Sequence, residues 1–405
     1  MKPDNTFTQT NGGITAPNGF RAAAVSCGIK VDALDLALIV SDNPASAAAM
    51  FTTNKTVAAP IVVCREHLKS SGGIARAIAV NSGCANACTG ETGLTNAQMM
   101  SQVLASEIHC PTEQTLVAST GVIGLPLEVS KIESGIITAA RNLDRHSNQE
   151  AAKAIMTTDP WPKETAVHVN TPAGSFTIGG MVKGSGMIEP MMATMLAFLT
   201  TDASIDSLRL RHALLSVTDE TFNAISVDGE CSTNDSVFLL ANGTSGTSVS
   251  DAIYPFFVDG LRQVCSKLAK EIVRGGEGAT KLVSIRVTGA KTGHDARRAA
   301  RAIANSPLVK TALHGADPNW GRFIAVAGRA GVTFEPSRAQ VRIGSVVLYE
   351  NETAWAEREV EASKHMNGDE VGVVVNLGTM GDEEATVWTC DLSAEYIRIN
   401  ADYRT

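Results

Sequence analysis

Aromatic side chains make up only 5% of this 405-residue chain. Few rings are available on which bases could stack, so a nucleic-acid-binding surface is not expected. Positive charge is also sparse: basic residues come in short pairs such as Arg297-Arg298, and the net charge is −8. Neither nucleic acid nor an acidic membrane surface is an expected partner. No apolar stretch reaches the roughly 18 residues of a membrane-spanning helix. Met1 to Thr10 is polar and lacks the cationic start and apolar core of a signal peptide. The cysteines, at 27, 64, 84, 88, 110, 231, 265 and 390, form no C-x-x-C pair and have no histidines at ligand spacing. Free thiols, no metal and a reduced, cytoplasmic setting are the expectation.

What the chain does have is 44% hydrophobic residues and 35 glycines, with length enough to bury a sizeable core. That balance points to a closely packed α/β enzyme of two or three structural units. Apolar, β-branched runs bounded by turn residues predict strands over 36–40, around 61–64, and over 77–80, 116–124, 175–182, 194–201, 281–289, 340–350 and 372–377, with another near 396–399. Ser41 to Pro44 is expected to be a turn. Helical periodicity covers 95–109, capped by Thr95 or Asn96, then 127–141, 148–156, 204–222 with Ser204 as cap, 251–273 and 295–305.

The most informative stretch runs from Lys183 to Asp202. Gly184, Gly186 and Pro190 break any regular element, and Ala193-Thr194 then opens an apolar, β-branched strand. Two readings of Thr194 stand at this point. It is an ordinary strand-start threonine, or it is a nucleophile whose own α-amine becomes the base once the Ala193–Thr194 bond is cut. An α-amine has a pKa of roughly 7.7–8.0, which suits a general base. A second stretch, Leu116 to Gly124, carries Ser119-Thr120-Gly121 at a strand end. It is a plain strand exit, or a place where successive N–H groups face a developing oxyanion. In Arg274-Gly-Gly-Glu-Gly-Ala-Thr-Lys281 the order of Thr280 and Lys281 fails the phosphate-loop template G-x-x-x-x-G-K-[ST]. The glycines expose Glu277 instead, and a carboxylate there suits a substrate ammonium group.

The run from Lys183 through Pro190 and Ala193-Thr194 to Phe198 resembles the cleavage motif of the ornithine acetyltransferase family, the bifunctional glutamate N-acetyltransferases of arginine biosynthesis. Ser119–Gly124, Glu277–Lys281, Asp317–Arg322 and Tyr396–Thr405 resemble the same family, in the same order. Departures are Cys84 and Met191 where asparagine is frequent, and Gly275 where aspartate is more frequent.

The resemblance implies a layered α-β-β-α fold like that of N-terminal-nucleophile enzymes, with its own topology and a smaller C-terminal α/β part. It implies a cut between Ala193 and Thr194, giving an α chain (1–193) and a β chain (194–405), two of each in the assembly. The implied reaction moves acetyl from N2-acetylornithine to glutamate, with Thr194 as nucleophile and Thr120 and Gly121 as the oxyanion hole. Thr157, Thr158, Lys183, Thr194, Glu277, Asn400 and Thr405 would bind substrate. No cofactor is implied, although acetyl-CoA is a possible second acetyl donor. Ile225 to Ser236 resembles a cleft-lining segment, but its residues are not counted among those touching substrate. His314 to Arg322 is expected to form a fixed corner without a catalytic role. A self-cleaving amidohydrolase or aminopeptidase, and an uncut amino-acid-binding protein, are the rival readings.

Overall fold

The computed structural model describes residues 6–189 and 195–402. Its larger sheet comprises β1 (Phe7–Thr10), β2 (Phe20–Val25), β3 (Leu36–Phe51), β4 (Ile74–Cys84), β5 (Thr115–Val122), β6 (Lys163–Thr171), β7 (Gly174–Lys183), β8 (Leu196–Thr201) and β9 (Ser236–Ala241). Their order is β1-β6-β7-β8-β9-β3-β4-β5, with β2 also paired to β3. The first half of β3 pairs with β2 and β4, and its last six residues pair with β9. The register against β4 shifts between Val40 and Ala45. Ser41 to Pro44 is therefore not a turn that ends the strand. It is an irregularity within one long strand, where a residue lacking an N–H is tolerated.

Around this sheet lie α1 (Ala59–Ser70), α2 (Gly90–Ile108), α3 (Val129–Arg141), α4 (Asn148–Ala154), α5 (Ser207–Glu220) and α6 (Tyr254–Arg274). Alternation along β8 and β9 shows the layering. Leu196, Phe198, Phe238 and Leu240 join the core shared by β2–β5 and α1–α4. Ala197, Leu199, Val237 and Leu239 join the core under α5 and α6. Both faces of these strands are buried, as the unbroken apolar run after Thr194 requires. The sheet thus doubles over at β3 between two sets of helices, the expected α-β-β-α arrangement.

A smaller sheet, all from the C-terminal part, holds β10 (Leu282–Ala290), β11 (Gln340–Ile343), β12 (Val346–Glu350), β13 (Thr353–Ala354), β14 (Glu370–Asn376) and β15 (Glu383–Cys390). Its order is β13-β12-β11-β14-β10-β15. Helices α7 (Gly293–Ala304), α8 (Pro307–His314), α9 (Trp320–Arg329) and α10 (Glu359–Met366) share its core. Helix α11 (Ala394–Asp402) follows β15.

Several local expectations change. The run around Ile61–Cys64 is helix α1, not a strand: Pro60 sits in its first turn, and Ile61 and Cys64 are buried one turn apart while Val62 is exposed. Short apolar runs do not distinguish the two by periodicity. Residues 396–399 are also helical. Tyr396 and Ile399 share a half-buried face, and Arg398 pairs with Glu395 three residues away. Helix α2 begins at Gly90, so Thr95 and Asn96 lie inside it, and Thr95 Oγ1 donates back to Glu91 O. Helix α5 is capped by Asp206 rather than Ser204, with Asp206 accepting from Arg209 N at 3.0 Å.

Candidate functional site

Strands β4 and β5 run parallel and end side by side, with Gly83 opposite Gly121. Gly121 has φ +124°, and a Cβ there would stand 2.4 Å from the Gly83 carbonyl carbon. Only glycine lets the two strand ends approach this closely. Asn234 ties them together from the loop before β9: its Nδ2 donates to Ala85 O at 2.6 Å and Ser119 O at 2.9 Å.

Lys183 ends β7, and its Nζ donates to Thr120 Oγ1 at 3.2 Å. Below it, buried Asp159 accepts from Lys163 Nζ at 2.5 Å and Gly184 N at 2.7 Å. Burial pushes the Lys183 pKa down and its neighbour Lys163 adds to that, outweighing the carboxylates of Asp159, Asp235 and Glu277. For Asp159 burial acts upward, but the Lys163 and Lys183 ammoniums and the two hydrogen bonds prevail and hold the carboxyl below its ordinary value.

Glu277 lies in the glycine-rich loop after α6. Its N–H donates to Ser185 O at 2.8 Å. Its Oε1 accepts from Thr158 Oγ1 at 2.7 Å, and its Oε2 from Asn400 Nδ2 at 2.7 Å. The loop itself is held from the smaller sheet. Asp391, just beyond β15, accepts from Thr280 N, Thr280 Oγ1, Lys281 N and His314 Nδ1, all within 3.0 Å.

Thr120, Gly121, Thr157, Thr158, Lys183, Glu277 and Asn400 line one cleft of about 140 Å³, with Met195 on its wall. Residues far apart in sequence thus converge on one cleft. Ala193 and Thr194, the expected cut and nucleophile, and Thr405 lie outside the described residues. The segment 225–236, which resembles a cleft-lining stretch, does line the same cleft through Asp228, Glu230, Ser232, Asn234 and Asp235, and Tyr396 lines it too. Among the described residues, no cluster of histidine, cysteine, aspartate and glutamate is arranged to hold a metal ion, and no helix is long and apolar enough to cross a membrane.

The cleft can bind an amino acid by both its charged ends, with an ammonium near the carboxylates and a carboxylate near Lys183.

The family model described as the ArgJ family matches residues 21–405. The arginine biosynthesis bifunctional protein ArgJ of Symbiobacterium thermophilum is 46% identical over 97% of this chain and 99% of its own. The protein of the same name from Dehalococcoides mccartyi is 47% identical over 98% of each chain. A crystal structure of arginine biosynthesis bifunctional protein ArgJ from Bacillus halodurans is 42% identical with a TM-score of 0.50, over 52% of this chain and 100% of that one.

Proposed function

The chain belongs to the ArgJ family, and from that premise we propose that it moves an acetyl group from N2-acetylornithine to glutamate, as an enzyme of arginine biosynthesis. The Ala193–Thr194 bond is cut by the chain itself. Residues 194–405 make up the same share of the chain as the 52% that covers the whole of the solved relative, which supports the cut.

Thr194 Oγ then attacks the acetamide carbonyl while the Thr194 α-amine takes its proton. The N–H groups of Thr120 and Gly121 hold the oxyanion, and losing one such donor typically costs ~10²–10³ in rate. Collapse of the tetrahedral adduct breaks the C–N bond, and ornithine leaves with the proton from the amine. An acetyl ester remains on Thr194. The glutamate amine attacks that ester, its proton passes to the threonine α-amine, and N-acetylglutamate leaves as Thr194 Oγ is reprotonated. Two half-reactions through one ester give ping-pong kinetics.

Lys183 receives the substrate carboxylate. Glu277, with Thr157, Thr158, Asn400 and Thr405, orients the amino-acid end. Such positioning removes up to roughly 7–11 kcal/mol of the barrier at best. No cofactor is needed. Acetyl-CoA serves as a second donor, the assembly is α2β2, and the enzyme works in the cytoplasm.

The observation that carries this reading is the convergence of Thr120, Gly121, Lys183, Glu277 and Asn400 on one cleft beside Met195. Denaturing gels of wild-type protein should show two fragments. Thr194→Ala should give one uncut chain and no transfer, and a fully active Thr194→Ala protein ends the argument. Acetate release without glutamate would instead favour a hydrolase.

A further inference from the structure

One side chain, Asp228, takes two successive backbone N–H groups of the segment just ahead of the expected cut. Asp228 Oδ2 accepts from Met187 N at 2.7 Å, and Oδ1 accepts from Ile188 N at 2.8 Å. Oδ1 also receives Glu230 N at 3.3 Å, and Oδ2 receives Tyr396 Oη at 3.2 Å. Met187 is at φ +57°, a left-handed conformation that costs a non-glycine residue energy and persists only when its surroundings impose it. Backbone pairing continues the grip: Val227 N donates to Ile188 O and Glu189 N to Glu230 O, both at 2.7 Å. The same carboxylate thus fastens two things. One is the strained approach to the Ala193–Thr194 bond. The other is helix α11, which carries both Tyr396 and Asn400, the partner of Glu277.

We propose that Asp228 is a positioning residue with two separable duties: it fixes the Met187–Ile188 backbone for self-cleavage and, through Tyr396, seats α11 over the substrate cleft. This rests on the reading of Thr194 given above. The two duties use different atoms of the partners, so they come apart by mutation. In Asp228→Asn one oxygen becomes an NH₂ group. Whichever way the amide lies, it faces the N–H of Met187 or of Ile188, and one of these loses its acceptor. In Tyr396→Phe only the bond to α11 is lost, and the 187–188 backbone keeps both of its acceptors.

The experiment follows newly made protein by gel and mass spectrometry, then measures transfer by the cut fraction. Asp228→Asn should cut roughly tenfold to a hundredfold more slowly than wild type. Tyr396→Phe should cut like wild type but show a several-fold higher KM for N-acetylornithine, the loss falling on KM rather than kcat. Far-UV circular dichroism and the melting temperature of both variants should stay near wild type. Asp228→Asn that folds and cuts at the wild-type rate overturns the first duty, and Tyr396→Phe with an unchanged KM overturns the second. Wild-type protein that never divides sinks the reading beneath the proposal, an outcome distinct from either.

Discussion

Strands β9 and β14 sit in the two sheets and look alike in composition, yet they are buried differently. Every residue of β9, Ser236 to Ala241, is buried. Along β14, buried Val371, Val373 and Val375 alternate with more exposed neighbours. The first pattern belongs to a sheet covered on both faces, the second to a sheet packed on one. Along β8 and β9 the larger sheet is covered on both faces, and the polar groups of the cleft lie at its strand ends. The smaller sheet has one apolar face under α7–α10 and contributes almost nothing directly to the cleft. Its part is to hold: Asp391 fixes the Glu277 loop, and α11 reaches back with Asn400. The larger body supplies most of the cleft, and the C-terminal part adds Tyr396 and Asn400 to it and holds the Glu277 loop.

The comparison breaks most visibly at Gly186. A Cβ there would stand 2.3 Å from Glu277 Oε2. The obstacle is the far end of a flexible side chain, so the fold can yield by swinging Glu277 away from Thr158 and Asn400. Gly186→Ala should therefore keep its melting temperature within a few degrees while kcat/KM falls by about 10²-fold or more, a loss of at least ~2.7 kcal/mol. A variant that melts early but transfers normally would show that the clash is absorbed by the backbone instead.

Ile285→Ala tests the other side. Ile285 is fully buried in the one-sided sheet, far from any cleft residue in its contacts. Truncation should cost ~2–5 kcal/mol of stability by urea titration. The specific activity of the folded protein should hardly change.

Asp391→Asn falls between the two bodies. It sets an amide NH₂ against either Thr280 N and Lys281 N or Thr280 Oγ1 and His314 Nδ1, so kcat/KM should drop roughly tenfold, in line with lost buried hydrogen bonding. It should also change the acid limb of stability. Burial pushes the Asp391 carboxyl up, but hydrogen bonds from Thr280, His314 and Lys281 outweigh it and hold it below the ordinary aspartate value. A depressed carboxyl stabilises fully above its unfolded pKa of about 3.9, and that share is lost as pH falls through the lower folded value. Wild type should lose this share below about pH 4, and Asp391→Asn should lack that part of the slope in acid titrations followed by circular dichroism.

The two bodies also differ in how far the sequence reveals them. The strand after Thr194 was plain because an unbroken apolar run has few other uses. The convergence of Thr120, Gly121, Lys183 and Glu277 came from resemblance, since spacing along the chain says nothing of which strand ends meet. Asp228 and its neighbours were set aside because a polar loop reads the same whether it faces solvent or a cleft. Tyr396–Ile399 was misread as a strand because two apolar residues three apart are too short a signal to tell a helix face from an alternating edge. Asp391 drew no notice, and His314 was read only as the start of a fixed corner, because a clamp made of one carboxylate has no pattern until the backbone N–H groups it serves are in place.

The smallest expected effect concerns Lys183, where the clamp and the site meet. Burial and Lys163 lower its pKa from 10.5 while Asp159, Asp235 and Glu277 partly oppose them. A lysine in that position loses its charge at lower pH than one in solution. The substrate carboxylate then loses its counter-charge, so KM for glutamate should rise a few-fold at alkaline pH, with a midpoint below 10.5. In the mechanism proposed above the Thr194 amine acts on the other side: it must be unprotonated to serve as base, so kcat/KM should climb through its pKa of roughly 7.7–8.0. The pH profile is then a bell whose two limbs belong to different groups. Lys183→Arg separates them, because a guanidinium keeps its charge throughout the range. It should weaken binding at neutral pH through altered geometry and remove the alkaline rise in KM, leaving the lower limb in place. An alkaline limb that survives in Lys183→Arg would belong to another group, and the charge on Lys183 would then not be what holds the substrate.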